Sequence, residues 1–265
     1  MRLYQLDAFT DRLFAGNPAA VCPLTEWLPD ETMQQIATEN NLAETAFYTH
    51  NPDTNRYHIR WFTPAVEVDL CGHATLATAY VVFNLEPRPN TDDLIRFDSR
   101  SGELTVRREA NDWLVLDFPA DTIHKANVQP PALLSSLGRK PVEIYKGKTD
   151  YMLVYASQEE VEGLDPDFRE LASVPARGVI ATAPGNDVDF ISRFFAPQSG
   201  IDEDPVTGSA HTTLVPYWAE KLGKTELTAR QISKRGGDLR CQLQPNDRVE
   251  IAGQVKLYLT GEILV

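Results

Sequence analysis

Alternation of apolar and polar positions marks residues 2–9 and 18–24 as two strands. Pro29-Asp30-Glu31 then opens a helix over 30–40, with Asp30 placed to cap it and two acids in its first turn. Strands are predicted at 43–49 and 56–63, a helix at 73–84, and strands at 93–98, 102–108 and 112–118. The order then recurs. Strands are predicted at 141–146 and 150–156, a helix at 165–173 after Asp165-Pro166, and strands at 178–183 and 188–195. A helix at 208–222 and strands at 228–233, 238–244 and 247–252 complete it. Each half reads β-β-α-β-β-α-β-β-β. Between them, 119–140 carries Pro119, Pro130 and Pro131 and reads as a linker with a short helix at 131–137. The strand at 254–264 is left over and is free to rejoin the first half. The expected domains are therefore 1–118, to which 254–265 can return, and 119–253.

The halves also share a motif. Residues 57–64 read Tyr-His-Ile-Arg-Trp-Phe-Thr-Pro and residues 190–197 read Phe-Ile-Ser-Arg-Phe-Phe-Ala-Pro. Each run ends in Arg-aromatic-Phe-x-Pro, leads into an acid-bearing loop, and then reaches Gly-x-Ala at a helix start: Gly72-His73-Ala74 and Gly208-Ser209-Ala210. This matched order predicts two related halves superimposable by a pseudo-twofold operation, with a site built between them.

Composition narrows the partners. The 265 residues are 42% apolar and 24% charged, as in a globular protein with a substantial core. A net charge of −13 disfavours nucleic acid and anionic membrane, which need a basic face, but leaves room for a small anionic substrate. Cys22, Cys71 and Cys241 are too few and too scattered for a disulfide framework. There is neither a signal-peptide pattern at the N-terminus nor an apolar run of membrane-spanning length, so a cytoplasmic location is expected.

The two Gly-opened helices carry the first functional argument. Residues 73–83 contain no Asp, Glu, Lys or Arg, and a helix apolar all round is buried. Its first-turn N–H groups must then find partners, and a glycine at the start suits close approach of an anion. The helix from Ser209 is nearly as apolar, with Pro216 expected to kink it. Two readings are open. The helices are core elements capped by their own loops, or their starts bind a carboxylate. Glu44 stands where a helix gives way to an apolar strand, among Ala43, Thr45, Ala46 and Phe47. It lies either on a solvated strand face or partly withdrawn from water, where a carboxylate suits proton transfer near neutrality. Asp204 precedes the second helix and either complements its dipole or takes part in chemistry.

At these residues the chain resembles the PhzF-like (phenazine-biosynthesis) isomerases. The matching segments are Asp7-Ala-Phe-Thr, Phe14-Ala-Gly-Asn-Pro18, Asn41-Leu-Ala-Glu44-Thr, Trp61-Phe-Thr-Pro64, Glu67-Val-Asp-Leu-Cys-Gly-His73-Ala-Thr, Arg193-Phe-Phe-Ala-Pro197 and Asp204-Pro-Val-Thr-Gly-Ser-Ala210. The resemblance implies an α+β, diaminopimelate epimerase-like fold: two similar domains, each a mixed barrel-like sheet around a central helix, with the active site between them. It implies Glu44 as general acid/base, with His73, Asp204 and Ser209 lining the proton path. It also implies that the amides at Gly72-His73 and Gly208-Ser209 hold a substrate carboxylate. A homodimer is compatible with it.

The related racemases use two cysteines. Cys71 stands where the first would be, but Pro205-Val206, before Thr207-Gly208, offers no second thiol. Cys71 is either an inert buried thiol or one activated by the helix start. Gly147-Lys148-Thr149 lacks the glycine that a phosphate loop needs, since position 142 is Val142. The histidines show no His-x-x-x-His spacing and no Cys-x-x-Cys occurs, so neither a metal nor another cofactor is expected. The resulting expectation is a cofactor-independent isomerase moving a proton on a small carboxylate-bearing metabolite. The alternatives are a one-thiol epimerase or racemase using Cys71, and a metabolite-binding protein without catalysis.

Overall fold

The computed structural model describes residues 1–87 and 92–265, and the chain divides into two compact units, Met1–Phe118 with Glu250–Val265, and Pro119–Val249. The chain begins with β1 (Arg2–Ala8), β2 (Asn17–Leu24), α1 (Asp30–Asn40), β3 (Glu44–Asn51) and β4 (Arg56–Phe62). Next come β5 (Glu67–Val68), α2 (Gly72–Asn84), β6 (Leu94–Ser99), β7 (Gly102–Arg108) and β8 (Leu114–Pro119). The second unit starts with β9 (His124–Lys125), α3 (Pro131–Ser135), β10 (Glu143–Lys146), β11 (Tyr151–Val154), α4 (Gln158–Glu162) and α5 (Phe168–Leu171). It continues with β12 (Val179–Pro184), β13 (Phe190–Ala196), β14 (Ile201–Asp204), α6 (His211–Leu222), β15 (Glu226–Gln231) and β16 (Gly237–Gln244). The last strands are β17 (Arg248–Gly253) and β18 (Val255–Glu262).

In the first unit β2 runs parallel to β3, β3 antiparallel to β4, and β4 takes both β5 (antiparallel) and β6 (parallel) as neighbours. β6, β7 and β8 form an antiparallel meander, and β1 lies antiparallel to both β2 and β18. The second unit repeats this pairing. β11 is parallel to β12, β12 antiparallel to β13, and β13 takes β14 (antiparallel) and β15 (parallel). β15 is antiparallel to β16, and β10 lies antiparallel to both β11 and β9. The sequence repeat is therefore a repeat of topology, with β4 equivalent to β13.

That equivalence explains the shared Arg-aromatic-Phe. Arg60 of β4 forks onto Glu67 of β5 at 2.7 and 2.8 Å, and Arg193 of β13 forks onto Glu203 of β14 at 2.7 and 3.0 Å. Each guanidinium covers the Phe two residues on, Phe62 at 5.2 Å and Phe195 at 4.9 Å. Each also reaches the helix beside its sheet. Arg60 pairs with Asp30 in the first turn of α1, and Arg193 donates to the carbonyls of Val161 and Leu164 at the end of α4. The conserved geometry is a clamp joining a hairpin to a helix, made by the bidentate fork that arginine carries.

Each unit has a central helix. α2 packs against β1, β2, β3 and β18, and every residue of it is buried except Gly72's distant neighbours Tyr80 and Asn84. Thr75 and Thr78 sit in this apolar setting because their hydroxyls donate back to the carbonyls of Cys71 and Ala74. α6 packs against β15 and β16 and carries Trp218, stacked on Phe190 with ring centroids 5.7 Å apart. Among the described residues no helix is long and apolar enough to cross a membrane.

The structure departs from the expectations in several places. Asp30 does not cap α1: Pro29 is the N-cap residue, no side chain caps the helix, and Asp30 in the first turn pairs with Arg60 instead. The helix expected at 165–173 shrinks to α5, because Pro166 blocks the turn before it and Asp167 caps the amide of Glu170. The helix expected from 208 opens with a 3-10 turn over Gly208–Ala210. Residues 119–140 are not all linker, since β9 pairs with β10. α6 runs through Pro216. The carbonyl that Pro216 leaves without an intrahelical donor, that of Thr212, accepts instead from the Asp121 N–H at 3.1 Å.

Candidate functional site

The first unit gathers Glu44, Cys71 and His73. Glu44 opens β3 directly opposite Ala19 of the parallel strand β2, with Asn17 heading that strand. The turn into Asn17 is made by Gly16 at φ +65°, where a Cβ would fall 2.1 Å from the Ala8 carbonyl oxygen, so only glycine fits. Cys71 is the N-cap residue of α2, and Gly72 and His73 form its first turn.

His73 is the hub. Its Nε2 lies 3.1 Å from Glu44 Oε2, with the two side chains 6% and 13% exposed. The contact has ion-pair length but is bent, so Nε2 has no aligned hydrogen-bond acceptor. Nδ1 faces the Asn17 amide nitrogen at 3.2 Å and Cys71 Sγ at 3.5 Å. Burial by itself lowers the His73 pKa, yet its negative partners outweigh burial and hold it well above the ordinary histidine value. The Cys71 thiol is pushed up to about 11, first by burial and then by the Glu44 charge, so it is neutral at pH 7. The charges that raise the His73 pKa are those of Cys71 and Glu44. Chemically this is a proton relay: a carboxylate at a strand start, an imidazole behind it, and an amide and a thiol on the far ring nitrogen.

The second unit places Asp204 at the end of β14 and Ser209 in the 3-10 turn before α6. Thr207 stands in this copy where Cys71 stands in the first, and its hydroxyl donates to Asp204 Oδ2. A two-thiol arrangement is thus absent from the repeat. Gln231, fully buried at the end of β15, accepts from the Thr207 N–H at 2.8 Å and donates to the Asp204 carbonyl at 2.7 Å. It pins the loop that delivers Asp204. Arg177 donates to Ser209 Oγ at 2.8 Å, is gripped by the buried Asp150 carboxylate, and lies 5.3 Å from the Phe194 ring centre. Its remaining charge neighbours include Asp204 and Asp121.

Asn17, Arg177 and Gln231 were not singled out as functional from the sequence. Asn17 lies in a segment that carries the family resemblance, which was a usable signal. Arg177 and Gln231 stand in runs without a motif. No metal-ligand spacing marks the Cys71-x-His73 pair in the sequence, because its third donor, Glu44, is far away in the chain. One donor atom from each of Glu44, Cys71 and His73 lies within 4.8 Å of the other two.

The family model for phenazine biosynthesis-like protein, PhzC-PhzF, matches residues 6–261. An uncharacterized isomerase of Pseudomonas aeruginosa is 52% identical over 264 residues, covering 99% of this chain and 98% of that protein. A phenazine biosynthesis protein of the PhzF family from Enterococcus faecalis superimposes with a TM-score of 0.93 at 44% identity, over 100% of this chain and 99% of that one. A probable proline racemase from Agrobacterium radiobacter K84 shares the fold alone, at a TM-score of 0.68 and 9% identity, over 100% of this chain and 93% of that one. The fold is thus that of the diaminopimelate epimerase-like proteins, and the chain belongs to the phenazine biosynthesis-like (PhzC-PhzF) family.

Proposed function

We propose that the protein is an isomerase that moves a proton on a small carboxylate-bearing metabolite, with Glu44 as general acid/base. The observation that carries this reading is the Glu44–His73 pair, 3.1 Å apart and largely withdrawn from water at the start of a buried helix free of charged residues. Family membership supports isomerase- or epimerase-type chemistry, and close relatives are named isomerases.

In this scheme the Glu44 carboxylate removes a proton from a carbon made acidic by a neighbouring π system or carboxylate. The C–H electron pair enters the π system and the double bond moves. Glu44, now protonated, delivers the proton to another carbon on the same face, so the reaction is redox-neutral and needs no cofactor. His73 steadies the Glu44 charge between the two steps. The amides at the Gly-opened helix starts, Gly72-His73 in one unit and Gly208-Ser209 in the other, are the donors offered to a substrate carboxylate. Neither glycine is among those with positive φ, so backbone torsion does not demand glycine there, and close approach of an anion gives a reason for it. Asp204, tied to Thr207, and Ser209 take part in orienting the ligand. Because Arg177 donates to Ser209 Oγ, the serine's own O–H is free to donate forward. One base acting on one face suits a 1,3-shift better than epimerisation.

A second reading, a one-thiol epimerase, draws on the 3.5 Å contact of Cys71 with His73. The high thiol pKa weighs against it, because the thiolate is the reactive form. One experiment separates the two. Wild type, Glu44→Gln and Cys71→Ser are incubated in D2O with a panel of small unsaturated carboxylic acids and amino acids and followed by proton NMR. Double-bond migration with deuterium uptake is expected in wild type and Cys71→Ser. It should fall about 10²–10⁴-fold in Glu44→Gln, with circular dichroism unchanged. A loss below about tenfold in Glu44→Gln rejects it as the base. A dead Cys71→Ser with inversion at Cα in wild type selects the epimerase, and ligand binding by a wild type without turnover points to a binding protein.

A further inference from the structure

The cluster at the start of α2 has a property that the proton relay does not use. A thiol, an imidazole and a carboxylate are the donor types of zinc sites, and here one atom of each lies within 4.8 Å of the others. We propose that Glu44, Cys71 and His73 form a binding site for zinc-type divalent cations, and that occupancy of this site shuts off proton transfer.

Three observations carry it. Cys71 Sγ and His73 Nδ1 are 3.5 Å apart, close to the roughly 3.5 Å that separates sulfur and nitrogen ligands on one tetrahedral zinc. The His73 side chain is more than nine-tenths buried, yet its Nε2 has no aligned partner. The donors come from the first residue of β3 and from the N-cap and first turn of α2; Cys71 lies on the Nδ1 side of the ring and Glu44 on the Nε2 side, so the ion takes one ring nitrogen and the donor on the other side turns to reach it. Sulfur and nitrogen select zinc, cobalt or copper over magnesium and calcium, which take oxygen ligands.

The charge balance suits a buried position. The ion takes the thiolate of Cys71 and a neutral ring at His73, so protons on these donors leave to solvent. Thiolate, carboxylate and a divalent cation then sum to zero beside a neutral imidazole. A neutral complex costs little desolvation, whereas any one of these charges alone would cost much. The bound ion occupies the carboxylate and the imidazole that would carry the proton. That inhibitory consequence rests on reading Glu44 as the base. The binding does not, so the two fail separately.

The test uses the full chain, stripped with a chelator and then titrated with zinc by calorimetry and with cobalt by absorption. One zinc per chain is expected, with proton release read from buffers of different ionisation enthalpy, so that affinity rises with pH. Cobalt should give a thiolate-to-metal charge-transfer band in the near ultraviolet. Cys71→Ser should abolish the band and weaken zinc binding by at least about 10–100-fold. Cys22→Ser and Cys241→Ser, at the other buried cysteines, should keep both signals. If circular dichroism shows Cys71→Ser unfolded, Glu44→Gln takes its place, with the band retained and affinity reduced. A wild type without the charge-transfer band, a band that survives Cys71→Ser, or zinc binding equal in all folded variants would overturn the proposal.

Discussion

Two histidines, each at a central-helix start, are buried with opposite consequences. His73 has a carboxylate beside it and its pKa is raised, whereas His211 has the Thr207 carbonyl on Nδ1 at 2.9 Å, and burial lowers its pKa to about 4. For His211 the folded value lies below the unfolded one, near 6.5. Its contribution to stability is therefore complete above about pH 6.5 and is lost as pH falls towards 4. For His73 the shift is upward, so its contribution is complete below about pH 6.5 and is lost as pH rises through the folded value. Urea midpoints at pH 7 and pH 5 should show about 2 kcal/mol of acid destabilisation from His211. His211→Gln should flatten that limb, and an unchanged slope in the variant would refute the assignment. Arg177 makes a second test. Arg177→Met leaves the buried Asp150 carboxylate without its fork and should cost about 3 kcal/mol, less wherever water reaches the side, 39% exposed, that Arg177 vacates. Arg177→Lys should recover part of this, as read from denaturant curves. What was legible at this scale divides by local context. Glu44, His73, Asp204 and Ser209 stand in distinctive segments, whereas Arg177 and Gln231 act through partners 32 and 27 residues away, Ser209 and Asp204, which no local pattern encodes.

The clamps of β4 and β13 are the elements on which the repeat turns. Arg193 binds Glu203 and two carbonyls, and both carboxylate and guanidinium are largely buried, so Arg193→Met should cost about 2–3 kcal/mol. Arg60→Met should cost less on the carboxylate side, because Arg100 also reaches Glu67 at 2.8 Å. Thermal denaturation of the two variants orders them, and the reverse order would show that the clamps are not equivalent. The regular elements were legible because their periodicity is long: α1 falls on 30–40 as expected, and α2 begins one residue before its expected start. The short pieces were not. β5 and β14 lie inside the acid-bearing loops, and α4 spans too few residues for a helical period to emerge. Pro216 shows the same limit. A proline predicts a lost hydrogen bond, but whether the freed carbonyl finds another donor depends on Asp121, far away in the chain.

For the molecule as a whole, the decisive pairing is that of its two ends. β18 lies along β1 from Arg2 opposite Glu262 to Ala8 opposite Val255, and the Met1 ammonium and Ile263 N–H bond to each other's carbonyls at 2.9 Å. A chain stopped after Gln254 should therefore lose hydrogen-exchange protection in β1 while the core of Pro119–Val249 keeps it. Protection of β1 in that truncation would mean that β2 alone suffices to hold it. The same pairing fixes a timetable. β1 leaves the ribosome before the second unit and β18 after it, so the first unit stays unfinished while the entire second unit is made. At about 5–20 residues per second that delay is on the order of tens of seconds. Throughout it, a strand carrying Leu3, Leu6 and Ala8 has an open edge, the kind of surface that nascent-chain chaperones shield. Moving the last strand ahead of Met1 by circular permutation would remove the wait, and the adjacency of the two ends means that a short linker can make the join.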